Sequence, residues 1–455
     1  MKDENIERND IIEKVASLDE KTPIYICLLH AMINCTIIIP VITSFGSIIY
    51  RHEFFQPFIP ALVRLTTISG VAHQISFSKI SSLPFAVGQV QDAGLIFLSK
   101  MASDIVDYCR QYGYSDDHIL ATTTIGLSLS TVILGLTLLL IGRCGIASIF
   151  QKLPIPVIGA YMAYIGFFCG KSGMTLMAGI DVESLADWGN FLTFERMILM
   201  VPGMLSGVII YILTRRIRHM TVLPLCIISL VVVFYATLSI ADMSLDQARH
   251  NKWLVEATET SEWYKTWQFL RPSLVVWTAL PQLTFPLVSM TFVVALSSSL
   301  DIAAIELEIG KTLNYDHEIA TVGWSNVISG FTGGYAGSYI FSQTIFSWRA
   351  GIRSRYSGYF IAVIEFIIVM LPFSIISYLP NFVFGSLLFM ICVDLMHEWM
   401  WKIKDKITIA EYFITLTTFV LIHLTGVECG ILLGVLFYAG YRKLCYNSSS
   451  PIHIG

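Results

Sequence analysis

The chain has 455 residues, 55% of them apolar and 14% charged, with a mean hydropathy of +0.67, a formal net charge of -4 and a pI near 6.2. Soluble domains carry about a quarter charged residues, so this composition excludes a water-soluble protein and describes a polytopic membrane protein. No basic face with interleaved aromatics is present for nucleic acid, and the nine scattered cysteines, without CxxC spacing, read as small apolar side chains and not as metal ligands.

Residues 1–22 are charged, lack the apolar stretch of a signal peptide and read as a short cytoplasmic tail. A bilayer core takes about 20 apolar residues per helix, and runs of that kind begin near Pro23, Gln56, Pro84, Ile119, Leu153, Arg196, Thr221, Pro281, Glu318, Ser338, Tyr356, Asn381, Thr408 and Val427. That predicts an all-α protein of about fourteen transmembrane segments, several too short to cross alone. The last two divide at Thr425-Gly426.

Basic loop residues collect on the cytoplasmic side. With a cytoplasmic N-terminus, alternate loops hold 19 of the 29 Lys and Arg inside, among them Arg215, Arg216, Arg218, Arg349, Arg353 and Arg355, and 7 outside. Arg64, Lys100 and Arg196 fall in or at the edge of spans. Both termini are therefore expected in the cytoplasm. The outer loops also carry acids, including Asp181, Glu183, Glu256, Glu259 and Glu262.

The polar interval 242–272 reads as an extracytoplasmic loop dividing a first seven-helix repeat, 23–241, from a second, 273–443, before a tail at 444–455. An odd number of crossings turns the second copy over, which is the arithmetic of an inverted repeat. In each half a small-residue stretch interrupts an apolar run: SSLPFAVGQVQDAG, and GGYAGSYIFSQTIF with Gly330, Gly333, Gly334 and Gly337. Matching broken segments point to a binding site at mid-membrane, where half-helix N-termini turn their unpaired N–H groups to a solute.

In these stretches the chain resembles the SulP family of sulfate permeases, the solute carrier 26 group. The likeness rests on FVVALSSSLDIAAIELEIG and EIATVGWSNVISGFTGGYAGSYIFSQTIFSWRAGIRSRYSG, and more loosely on IIIPVITSF, SSLPFAVG and LPIPVIGAYMAYIGFF. The resemblance implies a seven-plus-seven inverted fold of core and gate domains, moving in an elevator-like or rocking manner, and a homodimer. It implies a solute held between the third and tenth segments, at Phe85, Ala86 and Gln89 and at Ser338, Tyr339, Phe341 and Gln343, with Pro40 to Thr43 and Leu300 to Asp301 alongside. Three positions depart from the family pattern: Val41 replaces a common Gln, Gln343 replaces an Arg of many anion carriers, and the eighth-span Glu falls at or beside Leu300, next to Asp301. The family usually ends in a STAS domain; here about a dozen polar residues follow Tyr441, which fits either a piece of a longer protein or a member without that domain.

Asp301 lies inside an apolar segment, where a charge costs about 2.5 to 3.5 kcal/mol on insertion scales. It is therefore expected to contact solute or coupling ion, the alternative being a structural pair. Asp92, Val41 and Arg64 are supporting candidates, and Lys100 with Asp104 reads as an i,i+4 pair. Gln89 and Gln343 read equally as helix glue, the aromatics as packing, the prolines as kinks, and WRAGIRSR as a cytoplasmic anchor. No nucleophile elbow, HExxH, Walker A or dinucleotide fingerprint occurs, so an enzyme, an ATP-driven pump and a bound cofactor are not expected. The expected activity is secondary transport, by exchange or symport with a proton or sodium ion, of sulfate, bicarbonate or chloride. The alternatives are an organic or cationic solute such as an amino acid, and a non-transporting receptor.

Overall fold

The computed structural model describes residues 22–145, 154–180, 182, 185–217, 222–254, 263–371 and 375–448. The expected tails, and the loop acids Asp181, Glu183, Glu256, Glu259 and Glu262, lie outside these residues apart from Thr22 and 444–448.

Fourteen helices of nine residues or more occur among the described residues, each within a few residues of an expected apolar run. In the first half they are α1 (Ile24–Ile49), α2 (Ile59–Ile80), α3 (Asp92–Gln111), α4 (Asp116–Arg143), α5 (Ile155–Ala178), α6 (Phe194–Ile217) and α7 (Val222–Ile240). The second half repeats the series as α8 (Thr284–Ile309), α9 (Tyr315–Phe331), α10 (Phe341–Arg349), α11 (Tyr356–Met370), α12 (Asn381–Met396), α13 (Ile409–Thr425) and α14 (Val427–Ser448). Six described helices are long and apolar enough to cross a membrane by themselves, and α10 has only nine residues.

Two compact units divide the chain, and each draws on both halves. The first holds α1–α4 and α8–α11, the second α5–α7 and α12–α14, so corresponding helices of the two repeats share a unit. That is the core and gate division of the inverted repeat. In the second unit α12 packs on α5 and α6 through small residues: a Cβ at Gly173 would stand 3.0 Å from the Gly385 carbonyl, and one at Gly207 2.7 Å from the Ser386 carbonyl. Without a hydrophobic force between helices in lipid, close backbone approach is what holds such pairs.

The first unit contains the feature that apolar periodicity misses. Strand β1 (Gly88–Val90) pairs antiparallel with β2 (Gly337–Tyr339), in the register Gly88 with Tyr339, Gln89 with Ser338 and Val90 with Gly337. Backbone amides cannot stay unpaired at membrane depth, and two broken segments from opposite repeats satisfy one another. The expectation of half-helices beginning at Phe85–Gln89 and at Ser338 is corrected accordingly: Gln89 and Ser338 pair in the ladder, the Ala86, Val87 and Gly88 N–H groups donate to the Leu83 carbonyl, Thr344 Oγ1 and Gln74 Oε1, and the helices start later, at Asp92 and Phe341.

Side chains lock the pair in place. Asn326 of α9 grips both sides of Gly337, accepting from its N–H at 2.9 Å and donating to its carbonyl at 2.8 Å. Ser69 of α2 accepts from the Tyr335 N–H at 2.9 Å, and His73 Nε2 meets the Tyr335 carbonyl at 2.8 Å. The fully buried Glu318 at the head of α9 receives three donors, Ser82 N, Ser82 Oγ and Tyr339 OH, and so ties α9, the end of α2 and β2 together. Hydrogen bonds to a charged group contribute about 1.5 to 3 kcal/mol each. Replacing Glu318 by Ala is expected to remove about 3 kcal/mol or more of stability and to lower the thermal midpoint of the detergent-purified protein by several degrees. An unchanged midpoint would refute this role.

The arginines of the WRAGIRSR stretch are engaged with protein. Arg355 donates to the Ser78 and Ser81 carbonyls, both at 2.7 Å, closing the C-terminus of α2. Arg353 donates to the Trp348 and Ile352 carbonyls and lies 3.5 Å over the Trp348 ring, and Arg349 pairs with Glu308.

Candidate functional site

Within the first unit, α8 packs against both α3 and α10, and it carries the polar run Ser297, Ser298, Ser299 and Asp301 between the apolar stretches FVVAL and IAAI. Ser298 Oγ lies 2.7 Å from Ser338 Oγ, joining α8 to β2. Gln91, the residue before α3, donates from Nε2 to Ser297 Oγ at 2.8 Å and to Asp301 Oδ2 at 3.3 Å, joining α8 to β1. The two broken segments thus converge on one face of α8.

Asp92 is the first residue of α3. A helix N-terminus carries a partial positive charge that attracts an anion. At α3 the chain supplies that anion itself. Asp301 is drawn to the same helix start, because Gln91, which donates to it, directly precedes Asp92. Both acids are half-buried. Among the described residues no Lys, Arg or His pairs with either. Two acids at one helix start without a fixed cation form a site that a positive group would complete.

The start of α10 is built differently. Its N-cap, Ile340, provides no side-chain cap, so the N–H groups of Phe341, Ser342 and Gln343 have no such partner. Gln343 is buried, and its Oε1 has no hydrogen-bond partner. Phe341 is 36% exposed.

The structure sorts the remaining expected residues by position. Ser338, Asp92, Asp301 and the α10 head with Phe341 and Gln343 belong to the region around α8. Phe85 does not. Its ring packs 5.2 Å from that of Trp348 with Arg353 above it, seven residues or about 10 Å along α10 from its start. Tyr339 turns the other way, to Glu318 and Ser81, with its ring edge-to-face on Phe77 at 4.5 Å. The Ala86 carbonyl accepts from Gln74 Nε2 at 3.1 Å, and Gln89 points to Glu365 of α11. Val41 is half-buried in α1, just after the kink residue Pro40. Arg64 donates to the Leu371 carbonyl at 3.0 Å. Gln91 and Ser297 are additions to the site: the matched motif SSLPFAVG stops at Gly88, before both glutamines of QVQD, although the second lies directly before the acid.

The sequence matches the sulfate permease family over residues 32–418. It is 24% identical over 405 residues to the vacuolar basic amino acid transporter VSB1 of Saccharomyces cerevisiae, an alignment covering 86% of this chain and 38% of that protein. The chain thus spans well under half the length of this relative. Over 82 residues it is 32% identical to sulfate permease 2 of Neurospora crassa, covering 17% of this chain and 10% of that one. The fold resembles the transmembrane domain of the cyanobacterial bicarbonate transporter BicA, with a TM-score of 0.65, 14% identity and coverage of 90% and 96% of the two chains. It also resembles SLC26A9, with a TM-score of 0.68, 15% identity and coverage of 91% and 64%. The chain is a multi-pass membrane protein that belongs to the sulfate permease family of transporters.

Proposed function

We propose that the chain is a secondary transporter of a cationic organic solute of the basic amino-acid kind, with the positive group of the solute held by Asp92 and Asp301. The observation that carries this reading is the charge of the site: two neighbouring acids, one of them occupying the α3 helix start, with the neutral Gln343 in place of the arginine of many anion carriers. The name of the yeast relative, a vacuolar basic amino acid transporter, supports the same solute class and an organelle membrane as the location. The free amides at the α10 start suit a carboxylate, and an amino acid presents one beside its cation. Both termini are assigned to the cytoplasm by the distribution of Lys and Arg, and the family resemblance supports a homodimer.

A second reading, exchange of a small inorganic anion such as sulfate, bicarbonate or chloride, draws on the family and on the uncapped α10 start. Uptake of radiolabelled arginine, lysine, sulfate, bicarbonate and chloride into proteoliposomes separates the two. Arginine and lysine are expected to be taken up and to compete with each other. Uptake of sulfate unaffected by excess arginine would refute the cationic reading, and no uptake of any of the five would favour a receptor.

A further inference from the structure

Glu365 stands in the middle of α11, in the apolar run IAVIEFIIV, and is fully buried. Its Oε1 accepts from Gln89 Nε2 at 2.7 Å. Its Oε2 has no hydrogen-bond partner, and neither has Gln89 Oε1. Of these three buried oxygen atoms, only Glu365 Oε1 has a donor. A bare carboxylate in that setting leaves a charge with a single hydrogen bond at membrane depth, which is costly. A carboxylic acid brings the missing donor with it.

The neighbouring elements offer no replacement. From α1, Cys35 faces the acid, its thiol donating to the Ile361 carbonyl, and one turn away His30 is hydrogen-bonded to Ser357 at 2.9 Å. From α2, Gly70 lies against both Glu365 and Gln89, His73 is engaged with the Tyr335 carbonyl, and Arg64 reaches the Leu371 carbonyl beyond the end of α11. Arg355, just before α11, is held by the end of α2. The turn Trp263–Phe269 places Trp263 on Phe366, and its Lys265 is exposed.

Gln89 is the central residue of β1, and Gln91, two positions on, donates to Asp301. The strand thus meets a buried acid through Gln89, and the residue directly after it meets Asp301. We propose that Glu365 is a proton-binding site coupled to solute binding through β1. A proton taken from water binds a Glu365 oxygen and leaves by the same bond. In the ionised form Glu365 accepts from the Gln89 amide nitrogen; in the acid form it donates to the Gln89 amide oxygen, so the amide turns and the strand that leads into Gln91 responds. The coupling half of this inference rests on the proposed transport reading, whereas the proton site itself does not.

Infrared difference spectra between acid and alkaline pH, recorded without solute on the protein in lipid nanodiscs, test the site directly. A carboxylic-acid carbonyl band is expected that is lost in Glu365→Gln and displaced in Gln89→Leu, which keeps the acid but removes its partner. Spectra in which either variant keeps an unaltered set of bands overturn the site, and Gln89→Leu alone decides the matter if Glu365→Gln does not fold. Coupling is read in proteoliposomes: a pH gradient of one unit, imposed in each direction in turn, is expected to drive up to about tenfold arginine accumulation in one direction. Glu365→Gln is expected to lose that accumulation while retaining arginine–arginine exchange; gradient-driven accumulation at the wild-type level overturns the coupling. A wild-type protein that shows the Glu365 band but moves no arginine overturns the transport reading and the coupling and leaves the proton site standing.

Discussion

Asp301→Asn is expected to abolish arginine uptake while leaving the amount of folded protein in the membrane unchanged. The substitution keeps the shape of the side chain and an oxygen for the Gln91 amide, whose bond to Asp301 at 3.3 Å is long, so little of the packing of α8 depends on the charge. What is removed is half of the acidic pair. Unit charges about 4 Å apart attract by about 4 kcal/mol at the effective dielectric of a partly solvated site, and each 1.4 kcal/mol is about tenfold in affinity. A loss of about a hundredfold or more in apparent affinity for arginine follows. The direction of the effect also reports the sign of the solute. For an anion the same substitution removes a repulsive charge, so transport of sulfate would improve. Competition uptake with labelled arginine and sulfate on the wild type and the variant measures both, and unchanged arginine uptake refutes the assignment.

The membrane spans were legible because lipid imposes a simple rule: apolar runs of bilayer length form helices, and every expected run from Pro23 to Val427 contains one, those near Pro84 and Ser338 only after a short strand. The two broken segments were legible as polar small-residue stretches in matching places of two repeats, and the structure pairs them and brings both to α8. The detailed chemistry of the site was not legible. GQV and GSY are too short to show a strand period, and each is a strand only because the other lies beside it. That pairing consumes the amides that a reading of either half alone would assign to the solute, and it sends Phe85 and Tyr339 away from the helix starts. Gln91 meets Asp301 across 210 positions of sequence, which no local pattern carries. Glu365 could have been singled out: a lone acid in IAVIEFIIV is the kind of residue that lipid penalises. It lies just beyond the motif that carries the family resemblance.

Gly323→Val is expected to leave almost no folded protein. Helices α4 and α9 approach with their backbones in direct contact, and the contact is reciprocal. A Cβ at Gly323 would stand 2.7 Å from Leu139 N and 2.9 Å from the Gly135 carbonyl, and one at Gly135 would meet Val327 N at 2.6 Å and the Gly323 carbonyl at 2.7 Å. Gly142 and Gly330 continue the seam, facing the Asp316 and Ser128 carbonyls. Backbone atoms cannot rotate aside as a side-chain terminus can, so the helices must separate. Overpacking of a well-packed interior costs about 1 to 3 kcal/mol even where side chains yield, and a β-branched residue here should exceed that range. Separation would also carry away Asn326, three residues on, which holds both polar groups of Gly337 and so positions β2. Gly440→Ala is the control: in α14 its Cβ would meet nothing within 4 Å, and Ala is favoured over Gly in a helix by about 1 kcal/mol. Yield and thermal midpoint of the monodisperse detergent-solubilised fraction are the measurements. Wild-type values for Gly440→Ala and collapse for Gly323→Val are the expected pair; a Gly323→Val protein that purifies normally would mean that the seam is not what holds α9, and with it the strand, in place.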